Sequence, residues 1–469
     1  MIYKLLVPLL MFPFLHSFAQ NETKWMRDSL PEMWQMTPQS AQTLPTDDAW
    51  WQSFNDPMLD SLISKAVANN YNVASAIKRI EMARKAINEA KAGYFPTINL
   101  NGGWTKHRQA GAMEGASMPS VNSSYFSLGA SMQWEIDVFG RVREGVKVKK
   151  AAFNVSRMDY DAVIVSLCAN LATAYMNLRV AQKQLEVAKA HIESQQHIEK
   201  ITIARFEAEL ASMLDVTQAR IVLYNTESSV PSLESQIKTL TNSIAILTGE
   251  YPGNLSAGWL GENALPEFNQ TVGVGVPADL LRRRPDIVEA EMALAQYAAM
   301  VGVAKKDFLP TLSLSGEIGT SAHKAGDLFS KNSLTYSVAP QLSWTIFDGL
   351  ARNYRTAEAK LQLEAAVDSY NLTVMNAVGE VDDALSQYEA VLKSIDLQKR
   401  VVEQSEKSLT LSVDLYKAGL TAFSNVVDGQ MNWLESQNEL VALEGRALTS
   451  LISIYQALGG GWQSFNPAD

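Results

Sequence analysis

The sequence predicts a mainly α-helical chain that also carries a transmembrane β-barrel segment, with both parts written twice. Three observations carry this. First, the chain repeats itself. A shift of 214 lays Asn72-Val73-Ala74-Ser75-Ala76 on Asp286-Ile287-Val288-Glu289-Ala290 and Phe95-Pro96-Thr97-Ile98 on Leu309-Pro310-Thr311-Leu312; a shift of 210 lays Trp134 on Trp344 and Phe206 on Tyr416. Second, each copy passes from a period-two stretch into a period-seven stretch. Third, the period-seven stretches are free of helix breakers over unusual lengths. A β-barrel continued by a helical tunnel needs that combination.

Taken from the N-terminus, the first residues have a secretory form. Lys4 precedes an apolar run to Leu15, and Ser17-Phe18-Ala19 offers small residues for cleavage before Gln20. The run is too short, and too broken by Pro8 and Pro13, for a membrane-spanning helix. No later uninterrupted apolar run reads as long enough to span a bilayer as a helix. Cys168 is the only cysteine, so neither an intramolecular disulfide framework nor an N-terminal lipid anchor is expected. Without residues 1–19, which hold one lysine and no acid, the charge is 39 − 50 = −11. An acidic chain with no basic tract argues against a nucleic-acid partner.

Four segments then alternate. Ile98, Leu100, Gly102 and Trp104 oppose Thr97, Asn99, Asn101 and Thr105; Phe126, Leu128, Ala130, Met132, Trp134 and Ile136 oppose Ser127, Gly129, Ser131, Gln133 and Glu135. In the second copy Leu312, Leu314 and Ile318 oppose Ser313, Ser315 and Glu317, and Tyr336, Val338, Leu342, Trp344 and Ile346 oppose Ser337, Gln341, Ser343 and Thr345. Successive strand side chains point to opposite faces, so each segment has one apolar and one polar face. An antiparallel sheet packed on a soluble core would satisfy one such segment. Four of them suit tilted membrane strands of about 9–11 residues, with Trp104, Tyr125, Trp134, Tyr336 and Trp344 as interfacial aromatics. Four strands cannot close a barrel, and lipid does not tolerate an open edge, so several copies must share one barrel.

The long helices follow. Proline is absent between Pro119 and Pro231 and between Pro340 and Pro467, and glycine between Gly145 and Gly249. Leu171, Leu178, Leu185 and Ile192 recur every seven residues, with Ala174, Ala181 and Ala188 three places on; Val381, Tyr388, Ile395, Val402, Leu409 and Tyr416 do so in the second copy. A strict heptad implies left-handed coiled packing. A helix over 141–206 would run roughly 100 Å. Each ascending helix is expected to turn near 206–215 or 416–428 and return by Ile246 or Tyr455, with Pro231 a kink site.

Enzyme signatures are missing. Outside the first nineteen residues the histidines are His107, His191, His197 and His323, without HExxH spacing, a GxSxG elbow or a P-loop. Gly273-Val274-Gly275 lacks the third glycine of a dinucleotide loop and reads as a turn. No catalytic residue, metal site or cofactor is predicted.

With these features in place, the chain resembles the TolC-like outer-membrane efflux proteins, in particular the branch serving resistance–nodulation–division (RND) pumps. The resemblance spans about Trp50 to Trp462. It is carried by the opening Trp50-Trp51-Gln52-Ser53-Phe54-Asn55-Asp56-Pro57-Met58-Leu59 and by Leu280-Leu281-Arg282-Arg283-Arg284-Pro285-Asp286-Ile287. The resemblance implies a homotrimer in which four strands per protomer close a 12-stranded barrel over a periplasmic tunnel of long helical hairpins. It further implies a periplasmic adaptor, an RND-type inner-membrane transporter and outer-membrane lipid as partners. Arg283, Arg284, Pro285 and Asp286 are expected to be structural.

The implied layout is a signal peptide at 1–19, a belt segment at 20–55, and a first repeat at 56–249 with strands 96–106 and 123–138. A belt linker at 250–280 follows, then a second repeat at 281–458 with strands 310–321 and 334–347, and a last belt segment at 459–469. The family's gate motif maps to Tyr416-Lys417-Ala418-Gly419-Leu420-Thr421-Ala422-Phe423-Ser424-Asn425-Val426-Val427-Asp428. Three Asp428 side chains would ring a narrow pore, favouring cations; like charges held together also make such a ring sensitive to pH. Asn425 stands where the first carboxylate is often Asp, and Thr421 where an arginine can pair with Asp215. A hydrogen bond from Thr421 or Tyr416 to Asp215 is the expected substitute. Phe206, Glu209, Leu210, Gly419 and Leu420 are the expected adaptor contacts. Glu209 replaces the turn glycine that Gly419 keeps, so the first tip is expected to turn differently. A type I secretion channel and a soluble periplasmic coiled-coil scaffold are the alternatives.

Overall fold

The computed structural model describes residues 30–31, 34, 41–42, 49–109, 121–254, 265–266, 272–273 and 277–465; the expected signal peptide lies outside the described residues. A short strand β1 (Ala41–Gln42) precedes helices α1 (Pro57–Asn69) and α2 (Tyr71–Ala92), strands β2 (Thr97–Gln109) and β3 (Val121–Ile136), and the hairpin of α3 (Arg141–Glu207) and α4 (Met213–Leu247). After β4 (Val272–Gly273) and α5 (Leu280–Arg283) the pattern returns as α6 (Pro285–Lys306), β5 (Thr311–Ala322), β6 (Leu334–Ser343), α7 (Ala351–Lys417) and α8 (Phe423–Ala457). Val272–Gly273 is thus a strand, paired in parallel with β1, rather than the start of a turn; Val274 and Gly275 lie outside the described residues.

Both long helices hold 67 residues, roughly 100 Å at the usual helical rise. In α7 the heptad is kept to the tip: Val367, Val374, Val381, Tyr388, Ile395, Leu409 and Tyr416 are buried, with Val402 half-buried. In α3 the seam changes register. Leu171 and Leu178 are buried but Leu185 and Ile192 only half-buried, and Ala181, Ala188, Gln195 and Thr202 carry it onward. Ala181 and Ala188 there leave room for close helix approach. α4 continues through Pro231.

The main core lies where the repeats meet. It joins Leu171, Tyr175 and Leu178 of α3 to Val381, Leu385 and Tyr388 of α7, Leu448, Leu451 and Ile452 of α8, and Trp50 and Phe54. Two helices contain an 18-residue window apolar enough to cross a membrane by length and composition, though neither is an uninterrupted apolar run. The window in α3 is mostly buried, and α6 lies along α3 and α7. The α3 window is used in helix packing, whereas only 17% of the α6 window is buried.

β2, β3, β5 and β6 form one antiparallel sheet in that order. Its register sorts the side chains. Ile98, Met132, Gly316 and Val338 make one rung, Leu100, Ala130, Ile318 and Tyr336 another, and Asn99, Ser131, Glu317 and Ser337 lie on the opposite face. The apolar face is uncovered: Leu100 is 79%, Tyr336 80% and Trp104 57% exposed. A sheet packed on a soluble core would bury these residues. β6 ends at Ser343, short of the expected 347, because its partner β5 begins at Thr311 after Pro310 and has nothing further to pair.

Each strand pair is pinned to its own repeat. Trp134 Nε1 donates to the Tyr94 carbonyl and Trp344 Nε1 to the Phe308 carbonyl, both at 3.0 Å. Only residues 137–140 separate β3 from α3. Asp137 there accepts the backbone N–H of Val142 (2.9 Å) and of Arg143 (3.0 Å), placing a negative charge at the positive helix end. Asp348 does the same for α7 through Arg352.

Candidate functional site

At the far end of the hairpins both tips turn in the same way. Leu210 N–H donates to the Arg205 carbonyl (2.8 Å) and Glu209 N–H to that of Phe206 (2.9 Å); Leu420 N–H donates to Leu415 (2.9 Å) and Gly419 N–H to Tyr416 (3.0 Å). This is the Schellman pattern, which requires a left-handed residue. Gly419 supplies it at φ +72° and Glu209 at φ +64°. The expectation of a different first turn is therefore corrected. The paired hydrogen bonds and a good start to α4 outweigh the cost of a side chain at positive φ, of order 1 kcal/mol. That start is Ser212, whose hydroxyl accepts from Asp215 N–H and donates to Asp215 Oδ1 (2.9 Å). The second copy has Ala422 at the cap position and no side-chain cap; Asn425 instead donates to the Thr421 hydroxyl.

Ile198, Ala219, Leu409, Tyr416, Phe423 and Val426 form a small buried cluster that binds the two hairpins near their ends. Within it Tyr416 packs at 5.0 Å on Phe423 and its hydroxyl donates to Asp215 Oδ2 at 3.2 Å. Burial, then the neighbouring Asp215 carboxylate, raise the Tyr416 pKa. Of the two substitutes expected for an ionic latch, Tyr416–Asp215 is formed and Thr421–Asp215 is not. Thr421 is occupied by Asn425.

Ser424, Asn425 and Asp428 lie on the exposed side of α8, away from buried Phe423, Val426 and Gln430. Asp428 has no side-chain partner among the described residues. Phe206, Leu210 and Leu420 protrude at the very end, the last two at 66% and 74% exposed, beside exposed Glu209 and Gly419.

The Arg283–Asp286 motif sits at the other end of the hairpins. Arg284, 8% exposed, donates from Nε and Nη2 to Asp286 (3.0 and 2.7 Å), and from Nη1 to Glu380 (2.7 Å) and the Ala457 carbonyl (2.9 Å). The Trp462 indole donates to the Arg283 carbonyl (2.9 Å). Pro285 opens α6. Trp50 stacks on Tyr455 (5.4 Å) and Trp51 on Phe465 (5.5 Å), so the opening Trp pair closes over the chain's end.

Two features escaped the sequence reading. Asn70, 214 residues before Arg284, is its counterpart: it caps α2 and donates to the Leu247 carbonyl (2.9 Å), 210 residues before Ala457. A buried chain of hydrogen bonds also runs from Asp56, which caps α1, through the Tyr175 hydroxyl to Arg179 (2.8 Å) and Gln182 (2.9 Å). The 214 shift makes the first legible in principle. Nothing in the sequence marks the second.

A four-stranded sheet with an uncovered apolar face, running directly into paired helices of this length, defines a subunit of a membrane β-barrel with a helical tunnel. The family model for the outer membrane efflux protein matches residues 62–250 and 276–460, and the chain belongs to that family. It is 29% identical over 416 residues to "Nodulation protein T" of Rhizobium leguminosarum bv. trifolii, covering 88% of each chain. It is 28% identical over 426 residues to "Probable efflux pump outer membrane protein TtgC" of Pseudomonas putida, covering 90% of this chain and 87% of that one. The solved outer-membrane channel OprN matches at TM-score 0.84 and 30% identity, over 92% of this chain and 98% of that one.

Proposed function

We propose that this chain is one protomer of a trimeric outer-membrane channel, the passive exit duct of a tripartite efflux system. Small molecules such as drugs, dyes, metals or metabolites would reach it from an RND-type inner-membrane transporter through a periplasmic adaptor. The carrying observation is the sheet. Its apolar face has no protein cover, and among the described strands β2 and β6 each pair along one edge only. Lipid on that face and two further copies on those edges satisfy both, since three sets of four strands give twelve. The role requires no catalysis and no cofactor, because the energy enters at the transporter.

In this reading the exposed tips, with Phe206, Glu209, Leu210, Gly419 and Leu420, receive the adaptor; protruding apolar side chains of this kind mark interaction sites. Asp428, with Asn425 and Ser424 beside it, lines the resting constriction, and Tyr416–Asp215 ties the hairpins while it is closed. Planar-bilayer recording of the purified protein and of Asp428→Ala tests both parts. A small wild-type conductance that rises in the variant supports channel and gate. Equal conductances from intact trimers keep the channel and remove Asp428 from the gate; a water-soluble protein that never inserts sinks the channel.

A further inference from the structure

The gate has no arginine at position 421, yet the tip is not without a cation. Arg205 lies in the last turn of α3 and reaches across to the other hairpin. Its Nη1 donates to the carbonyl of Lys417, the last residue of α7, and its Nη2 to the Leu210 carbonyl at 3.4 Å. The guanidinium covers the Tyr416 ring, with Cζ 4.9 Å from the centroid, and the hydroxyl of that ring holds Asp215 on α4. One planar group therefore joins the first hairpin's own turn, the open carbonyl end of α7 and the tyrosine that meets α4. A cation suits that place: the last carbonyls of a helix carry partial negative charge, and an aromatic face attracts a guanidinium.

The tie runs one way. The residue 210 places on is Leu415, which is 45% exposed, so the second hairpin has no equivalent grip on the first. The carbonyl held by Arg205 also lies two residues before Gly419, the left-handed residue of the turn that leads into α8. That helix carries Asp428.

We infer that Arg205 is the positioning residue that holds the second hairpin's turn, and with it the Asp428 end of α8, in the resting state. It does in this chain what the missing cation at Thr421 does not. The inference rests on the reading of the tip as the constriction.

The test is single-channel conductance of the full-length protein in planar bilayers for wild type, Arg205→Met, Arg205→Lys, Tyr416→Phe, Arg205→Met/Tyr416→Phe and Asp428→Ala. Heat stability of the detergent-extracted trimer is followed in parallel. Arg205→Met is expected to raise conductance about twofold or more, as a widened constriction requires, with the trimer melting as before. Arg205→Lys falls between, because an ammonium donates from one point and does not lie flat on a ring. If Arg205 acts through Tyr416, the double variant gains less than the sum of the singles.

Wild-type conductance in Arg205→Met with intact trimers overturns the inference. Beside a raised Asp428→Ala conductance, that result removes Arg205 alone; with Asp428→Ala also unchanged, it removes the constriction from the tip as well. Should Arg205→Met not assemble, Arg205→Lys decides by the same criterion: a raised conductance supports the tie and a wild-type one overturns it.

Discussion

Replacing Arg284 with methionine tests whether the Arg-rich motif is structural. The substitution keeps the aliphatic stem but deletes every charge-assisted hydrogen bond. Asp286 and Glu380 have side chains 41% and 55% exposed, so they rehydrate on losing their partner, and each such pair contributes about 0–1 kcal/mol. The Ala457 carbonyl is buried and loses its donor, at about 1–3 kcal/mol. The sum is about 3 kcal/mol per protomer. Asn70→Ala offers an internal comparison, since it deletes a helix cap and the bond to Leu247, together about 2 kcal/mol. Circular-dichroism melting of the detergent-extracted protein should therefore lower the midpoint for both, and more for Arg284→Met. Channels that survive should conduct as wild type. An unchanged melt with altered conductance would refute this reasoning and make the motif functional.

Two further outcomes follow from local geometry and burial. Gly459→Ala should destabilise far more than Gly419→Ala, although both residues have positive φ (+69° and +72°). A Cβ at 459 would meet the Arg283 carbonyl and Arg284 Cα at 2.9 Å, whereas at 419 the nearest atom is 3.9 Å away. The left-handed conformation costs about 1 kcal/mol at each, and crowding adds about 1–3 kcal/mol at 459 only; equal losses in the same melt would contradict this. Asp161 concerns pH. Burial pushes its pKa from 3.8 to about 6, against the smaller opposing pull of Arg157. The folded state thus holds a proton that the unfolded state releases first, so this group weakens the fold as pH rises from about 4 to 6, by up to about 3 kcal/mol. Asp161→Asn should raise the midpoint at pH 7.5 and leave it unchanged at pH 4; an equal effect at both would refute the assignment.

Much of this architecture is written in local pattern. The period-two segments became the four strands, and Val381, Tyr388, Leu409 and Tyr416 stand buried on the seam that their spacing implies. These features survive because alternation and heptads depend only on strand and helix geometry. The tip was legible in part. The Gly419 turn and the Tyr416–Asp215 contact follow from the motif, but the Glu209 turn does not, because a residue's own preference was overruled by the hydrogen bonds of its neighbours.

The sequence by itself determined the duplication, the strand and helix periods, the turning points of the hairpins and the apolar face that asks for lipid, because each rests on short-range repetition. Only the tertiary structure decided which side chains do equivalent work. Asn70 and Arg284 differ in charge and size, yet each bonds the closing carbonyl of its own hairpin; Arg205 and Leu415 hold matching places, yet only one crosses to the other tip. A hydrogen bond is set by where two atoms meet in space. Residues 173 to 212 positions apart meet only when the hairpins have formed and packed.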